Sequence, residues 1–88
     1  MVKVHTPLLY NYNNGQQTAN VSGSTVGECL DDLTRKFPEM KDLLFDKKGT
    51  LHDYLYIYVN KEDYYPEEMA KPVKNGGEID IILMIGGG

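Results

Sequence analysis

Hydrophobic and polar residues alternate along three segments of the chain, and this period predicts three β-strands. The first segment covers residues 2–6, where two valines alternate with polar side chains. The second covers residues 54–59, with the sequence Tyr-Leu-Tyr-Ile-Tyr-Val. The third covers residues 78–85, where Glu78 and Asp80 lie on one side and an aliphatic row lies on the other: Ile79, Ile81, Leu83 and Ile85. Such a long aliphatic row is expected of a strand in the middle of a sheet.

A weaker strand is predicted at residues 16–22, after the turn-forming sequence Asn-Tyr-Asn-Asn-Gly at residues 11–15. Strand, turn and strand in this order predict a hairpin with the first strand. A second turn is predicted at residues 60–63, followed by a short return strand at Tyr64 and Tyr65.

The clearest helix is predicted to begin at Thr25, where Thr25 and Glu28 have the spacing of a capping box. Its apolar stripe recurs with helical period at Val26, Leu30, Leu33 and Phe37. Pro38 ends the helix, and residues 39–45 add a short helical turn. Four charged side chains are expected to face water: Asp31, Asp32, Arg35 and Lys36.

One helix between two pairs of strands must cover one face of a single sheet, which predicts a two-layer α+β domain. If the last strand lies beside the first, this is the β-grasp, or ubiquitin-like, fold, with a mixed sheet of four to five strands. We expect residues 1–85 to form this domain and residues 86–88 to form a flexible C-terminal tail.

Composition narrows the possible functions. The 88 residues carry a formal net charge of −4, which argues against nucleic-acid binding, since that would need a basic surface. The single cysteine, Cys29, permits no internal disulfide and is expected to be a small core residue. The N-terminus lacks the pattern of a signal peptide, and no apolar run is long enough for a membrane span, so a cytoplasmic protein with no membrane association is expected.

The histidines and tyrosines give little indication of a metal site or of another functional site. His5 and His52 lack the partners and spacing of a metal site, so no metal is expected. The tyrosines at 54, 56 and 58 share one face and are expected to pack as aromatic side chains across neighbouring strands, with a share in partner binding left open.

The most informative feature is the end of the sequence, Gly86-Gly87-Gly88, directly after the last predicted strand. Glycine has no Cβ, so a glycine tail can lie extended in a channel too narrow for other residues. A linker remnant or a frayed end would also account for these glycines.

Nearly the whole chain resembles the ThiS/MoaD family of ubiquitin-like sulfur carriers. The resemblance is carried by residues 25–33, by Phe37-Pro38, by Gly-Thr-Leu-His at 49–52, by Ile-Tyr-Val-Asn-Lys-Glu-Asp at 57–63 and by residues 72–79. The sequence of the motifs in the second half is most similar to that of the family branch that serves cysteine biosynthesis. The chain departs from the family in having Gly77-Glu78 before the last strand and a third terminal glycine.

The resemblance implies a protein that is a substrate rather than an enzyme. A ubiquitin-activating-type enzyme uses ATP to adenylate the C-terminal glycine, and sulfur then replaces AMP to give a thiocarboxylate. The sulfur-carrying terminus is assigned to Gly88 or Gly87, with Gly86 giving the tail flexibility. No cofactor is bound by the chain itself. The acceptor is a cysteine-synthase-like enzyme or, less in keeping with the sequence, molybdopterin or thiazole synthase.

Docking of these partners is assigned to Ile82 and Met84, which strand alternation places on the face opposite the helix. The competing interpretation is that a loop buries both side chains. The free carrier is expected to be a monomer. Two other functions remain open: a protein modifier that forms isopeptide bonds through the same glycine, and a β-grasp binding module with no covalent role.

Overall fold

The structure is a computed structural model that describes residues 1–63 and 68–83. Five strands lie along these residues: β1 (Val2–His5), β2 (Thr18–Val21), β3 (Leu55–Val59), β4 (Glu62–Asp63) and β5 (Glu78–Leu83). Two α-helices, α1 (Val26–Lys36) and α2 (Met40–Leu44), lie between β2 and β3. Short 3₁₀ helices occur at Pro7–Leu9 and Glu68–Ala70.

The strands form one mixed sheet in the order β2-β1-β5-β3-β4. β1 and β5 are parallel, and the other neighbours are antiparallel. Helix α1 contributes four buried residues to the core: Val26, Cys29, Leu30 and Leu33. The predicted α+β class and the β-grasp order of elements are therefore confirmed, with five strands in the sheet.

The last strand lies in the middle of the sheet, beside the first, as its aliphatic row predicted. Ile79 pairs with Val4 on one side and with Val59 on the other. Ile79 and Ile81 are fully buried, while Glu78 and Ile82 are exposed on the face away from the core. The central position explains why the inward positions of this strand are aliphatic.

The start of α1 is capped by two side chains. The Thr25 hydroxyl accepts the backbone N–H of Glu28 at 3.2 Å, as the sequence predicted. The Glu28 carboxylate reaches back to Ser24, where it accepts the backbone N–H and the hydroxyl, each at 2.8 Å. These bonds, the backbone one first, lower the pKa of Glu28. The cap thus holds the loop before the helix as well as its first turn.

Replacement of Thr25 by Ala should destabilise the protein by about 1 kcal/mol, because an N-cap acceptor is lost. Urea unfolding measures this difference. Thr34→Ala is the control on the same helix, since the Thr34 hydroxyl donates only to the Asp31 carbonyl and alanine has the better helix propensity. Equal effects of the two changes would contradict a capping role for Thr25.

Several predicted boundaries were wrong by a few residues. β1 ends at His5 rather than Thr6, because the Thr6 hydroxyl accepts the Leu8 N–H and starts a 3₁₀ helix. β2 covers Thr18–Val21, which is shorter than the predicted residues 16–22. β5 is described as far as Leu83, so its predicted extension to residue 85 lies outside the described residues.

The turn after β3 is tighter than predicted. Asn60 and Lys61 both have positive φ, at 51° and 70°, and Glu62–Asp63 already form β4. Two central residues of positive φ make the tight hairpin turn that suits twisted strands. Asparagine is typical of the first of these two positions but lysine is not typical of the second, so the residue types predicted a turn without predicting that it has only two residues. The return strand predicted at Tyr64 and Tyr65 lies outside the described residues.

The prediction that Asp32 faces water is wrong. Its side chain is only 13% exposed, and one carboxylate oxygen accepts the backbone N–H of Ser22 at 2.9 Å. That bond is the main reason why the pKa of Asp32 is lowered. Asp31 and Arg35, in contrast, are exposed as predicted.

Candidate functional site

The candidate site is the end of β5 and the sheet surface beside it. Ile82 and Leu83, the last two described residues, point to opposite faces of the sheet. Leu83 pairs with Leu55 and packs against the core. Of the assigned site residues, Met84, Gly86, Gly87 and Gly88 lie outside the described residues, so their roles stay predictions. The same holds for the boundary between a domain of residues 1–85 and a tail of residues 86–88.

Ile82 is exposed, as predicted, with 47% of its surface accessible. It pairs across strands with Tyr56 of β3, which is 37% exposed. Residues directly opposite each other in a sheet point to the same face, so Ile82 and Tyr56 form one apolar patch, here called the outer patch. Large apolar side chains that are exposed together on a β-sheet are a candidate contact surface for a partner.

The tyrosines of β3 lie opposite non-aromatic residues, so the expected cross-strand aromatic packing takes the form of a tyrosine–isoleucine pair at Tyr56. Tyr56 lies opposite Ile82, and Tyr58 lies opposite Asp80. Tyr54 precedes β3 and stacks on His52, with ring centroids 4.9 Å apart. Tyr56 was expected mainly to pack rather than to bind a partner. The aromatic–aliphatic alternation of residues 54–59 contained the signal that it faces outward.

The rest of the outer face of β5 is charged and internally paired. His5 Nε2 lies 2.8 Å from Glu78 Oε1, and Lys61 Nζ lies 3.1 Å from Asp80 Oδ2. Exposed pairs of this kind contribute little to stability. Both carboxylates on the outer face of β5 thus have a side-chain partner beside the outer patch: Lys61 for Asp80 and the His5 ring for Glu78.

Side-chain chemistry at other positions of the described chain is limited. Cys29 is buried in the core, and burial raises the pKa of its thiol, so it stays protonated and is a packing residue, as predicted. Within residues 1–63 and 68–83, no three histidine, cysteine or carboxylate side chains are grouped to hold a metal ion. None of the helices described there has the length and apolar character to cross a membrane.

These features define a class of protein: a ubiquitin-like β-grasp domain whose central strand leads into a C-terminal glycine sequence. Comparison with known proteins gives the family. The family model described as "ThiS family" matches residues 10–88, and the chain belongs to this family. Its relatives are carriers and modifiers rather than enzymes, and the chain is likewise not an enzyme.

Three relatives illustrate the match. The sulfur carrier protein CysO of Mycobacterium tuberculosis is 30% identical over 84 residues, which is 92% of this chain and 90% of CysO. The ubiquitin-related modifier 1 of Encephalitozoon cuniculi is 35% identical over 74 residues, covering 83% of this chain and 77% of that protein. In the crystal structure of the Amycolatopsis orientalis BexX/CysO complex, a chain 29% identical in sequence superposes with a TM-score of 0.86, and both chains are fully covered. The predicted family and its CysO branch are thereby confirmed.

Proposed function

We propose that this chain is a sulfur carrier whose C-terminal glycine is adenylated and then converted to a thiocarboxylate. The observation that supports this most directly is that the match to the ThiS family runs to residue 88 and so includes the terminal glycines. The similarity to CysO over nearly the full length supports the branch that supplies sulfur for cysteine or a related amino acid.

The proposed chemistry needs no side chain of this protein as acid or base. A free carboxylate is a poor electrophile, because its charge is delocalised and its oxygen is a poor leaving group. Attack of the Gly88 carboxylate on the α-phosphate of ATP gives an acyl adenylate and pyrophosphate. The outer sulfur of a persulfide donor then attacks the acyl carbon and displaces AMP, which leaves the chain joined to the donor through an acyl disulfide. A thiol reductant cleaves the S–S bond of this intermediate and releases the thiocarboxylate, whose sulfur is then transferred to the acceptor.

Two kinds of partner follow from this chemistry. The first is a ubiquitin-activating-type adenylating enzyme, and the second is a sulfur-acceptor enzyme of the cysteine-synthase type, with molybdopterin or thiazole synthase as the other acceptors. The likeness to a CysO chain in a BexX/CysO complex supports association with a partner protein. We propose that the free carrier is a monomer that meets these enzymes in turn.

The outer patch is the proposed docking surface for both partners. Ordering Gly86, Gly87 and Gly88 in an enzyme channel costs on the order of 1–2 kcal/mol per residue, so contacts elsewhere must offset about 3–6 kcal/mol. Full burial of one side chain such as Ile82 contributes about 1.5–3 kcal/mol. Ile82 and Tyr56 together can therefore offset much of the cost, and Met84, the other assigned docking residue, would add to this surface.

A second function is favoured by one specific observation, the 35% identity to ubiquitin-related modifier 1. A protein modifier would use the same adenylated glycine but would pass it to a lysine amine of another protein. The two functions therefore share the activation step and differ in the nucleophile that follows.

An intact-mass experiment tests the proposal. The chain is incubated with a ubiquitin-activating-type enzyme of the same source, ATP, a persulfide donor and a thiol reductant, and a chain that lacks Gly87 and Gly88 is the control. The expected product is heavier by the difference between sulfur and oxygen, and the control stays unchanged. If conjugates to other proteins form without that mass increase, the chain is a protein modifier instead. If the loss of both glycines makes no difference to the behaviour of the chain, it is a binding module with no covalent role.

A further inference from the structure

Strand β2 is one edge of the sheet, with β1 as its only neighbour among the described strands. The register shows which of its backbone groups point away from β1. The Lys3 N–H donates to Gly77 next to β5, so Lys3 and its partner Asn20 do not bond each other. By the alternation of an antiparallel pair, the N–H and C=O groups of Thr18, Asn20 and Ser22 point to the open side.

Three side chains hydrogen-bond to these outward groups. Asn13 Nδ2 donates to the Thr18 carbonyl at 2.7 Å, and Lys36 Nζ donates to the Asn20 carbonyl at 2.8 Å. At the end of the strand, the Ser22 N–H donates to Asp32 Oδ2 at 2.9 Å. Each of the three outward-facing residues of the edge thus has one backbone group covered by a side chain.

The two charged side chains are held in place by the helix. Asp32 and Lys36 are four residues apart on α1, so they lie on the same helix face. Lys36 Nζ is 3.4 Å from Asp32 Oδ2. Both edge bonds involve a charged group, and such bonds are stronger than bonds between neutral groups. Arg35, by contrast, is mostly exposed and reaches Asp32 only at 3.6 Å.

We propose that Asn13, Asp32 and Lys36 seal the β2 edge and so prevent two copies of this chain from joining their sheets through β2. An open edge offers unpaired N–H and C=O groups to another strand. A second copy is the occupant considered because an antiparallel β2–β2 pair is self-complementary about a twofold axis. A strand added there must displace all three side chains, which leaves Asp32 and Lys36 without their backbone partners.

The test compares two triple variants of the whole chain by light scattering over a range of protein concentrations. The seal variant is Asn13→Leu, Asp32→Leu and Lys36→Met, and the control is Asn11→Leu, Asp31→Leu and Arg35→Met. Each removes one acidic and one basic group and adds the same apolar side chains. The seal variant is expected to form dimers at a concentration at least about tenfold lower than the natural chain or the control.

Hydrogen exchange locates the contact. In a β2–β2 dimer the outward N–H groups of Thr18 and Asn20 become bonded, so their exchange should slow in the seal variant at high concentration. A folded seal variant that stays monomeric overturns the proposal, as does a dimer in which these two amides exchange as in the natural chain. Equal dimerisation of the control would assign the effect to apolar residues on the helix and would also overturn it.

A single change covers the case in which the triple variant does not fold. Lys36→Met alters a half-exposed side chain and removes the bond to the Asn20 carbonyl together with the ion pair to Asp32. It is expected to shift dimerisation in the same direction by a smaller factor, with slower exchange at Asn20 in the dimer. If Lys36→Met forms dimers at the same protein concentration as Arg35→Met, the proposal is overturned.

Discussion

Gly87→Ala is expected to reduce thiocarboxylate formation by about 100-fold, equivalent to ~3 kcal/mol in the activation step, while the fold stays intact. The reason is steric: an extended glycine tail fits a channel that a Cβ would obstruct. Position 87 follows the last described strand residue, Leu83, by four positions, so the core contacts of β5 are not altered. Intact mass after incubation with the activating enzyme measures the product, and thermal unfolding measures the fold.

Gly49→Ala is the control for this variant. Gly49 has a φ of +82°, a Cβ added there would meet no atom within 4 Å, and it lies in the loop between α2 and β3. Alanine there should cost stability because of the left-handed backbone but should leave thiocarboxylate formation unchanged. Normal product from Gly87→Ala would disprove the narrow channel, even if the carrier function itself were correct.

Ile82→Asp is expected to raise the KM of the activating enzyme for this protein by about 10- to 100-fold, because a buried apolar contact worth about 1.5–3 kcal/mol is lost. The kcat should change little, since the role proposed for Ile82 is to contact the enzyme and not to act on the reacting carboxyl group. Ile82 is exposed in the free protein, so the free energy of unfolding should change far less than the KM. Steady-state kinetics with the variant as substrate gives both constants.

Asn20→Asp is the matched control for Ile82→Asp. It adds the same carboxylate and the same change in net charge to the same face of the sheet, but on β2, two strands away from β5. Its KM should stay near that of the natural chain. If the KM is raised equally in both variants, charge rather than the outer patch decides docking. If the KM is unchanged in both variants, Ile82 is not part of the interface.

Much of the fold was predictable because it depends on local pattern. The period of Val26, Leu30 and Leu33 identified α1 and its buried face, and Thr25 identified its start. The aliphatic row of residues 78–85 identified a central strand, and the exposed position of Ile82 followed from alternation alone. The errors lie where the backbone adopts rare conformations, as at Asn60 and Lys61, or where a long-range partner changes the role of a polar residue, as at Asp32.

The amino-acid sequence by itself determined the family, the order of helices and strands, and the glycine terminus proposed to carry sulfur, because these depend on residue types and their spacing. Only the tertiary structure decided which side chains meet. It placed Tyr56 opposite Ile82 and brought Asp32 and Lys36 over the edge of β2. It also placed Gly23 where a Cβ would lie 2.7 Å from the Cys29 nitrogen. Contacts between residues distant in the chain depend on strand register and helix placement, which no local pattern encodes.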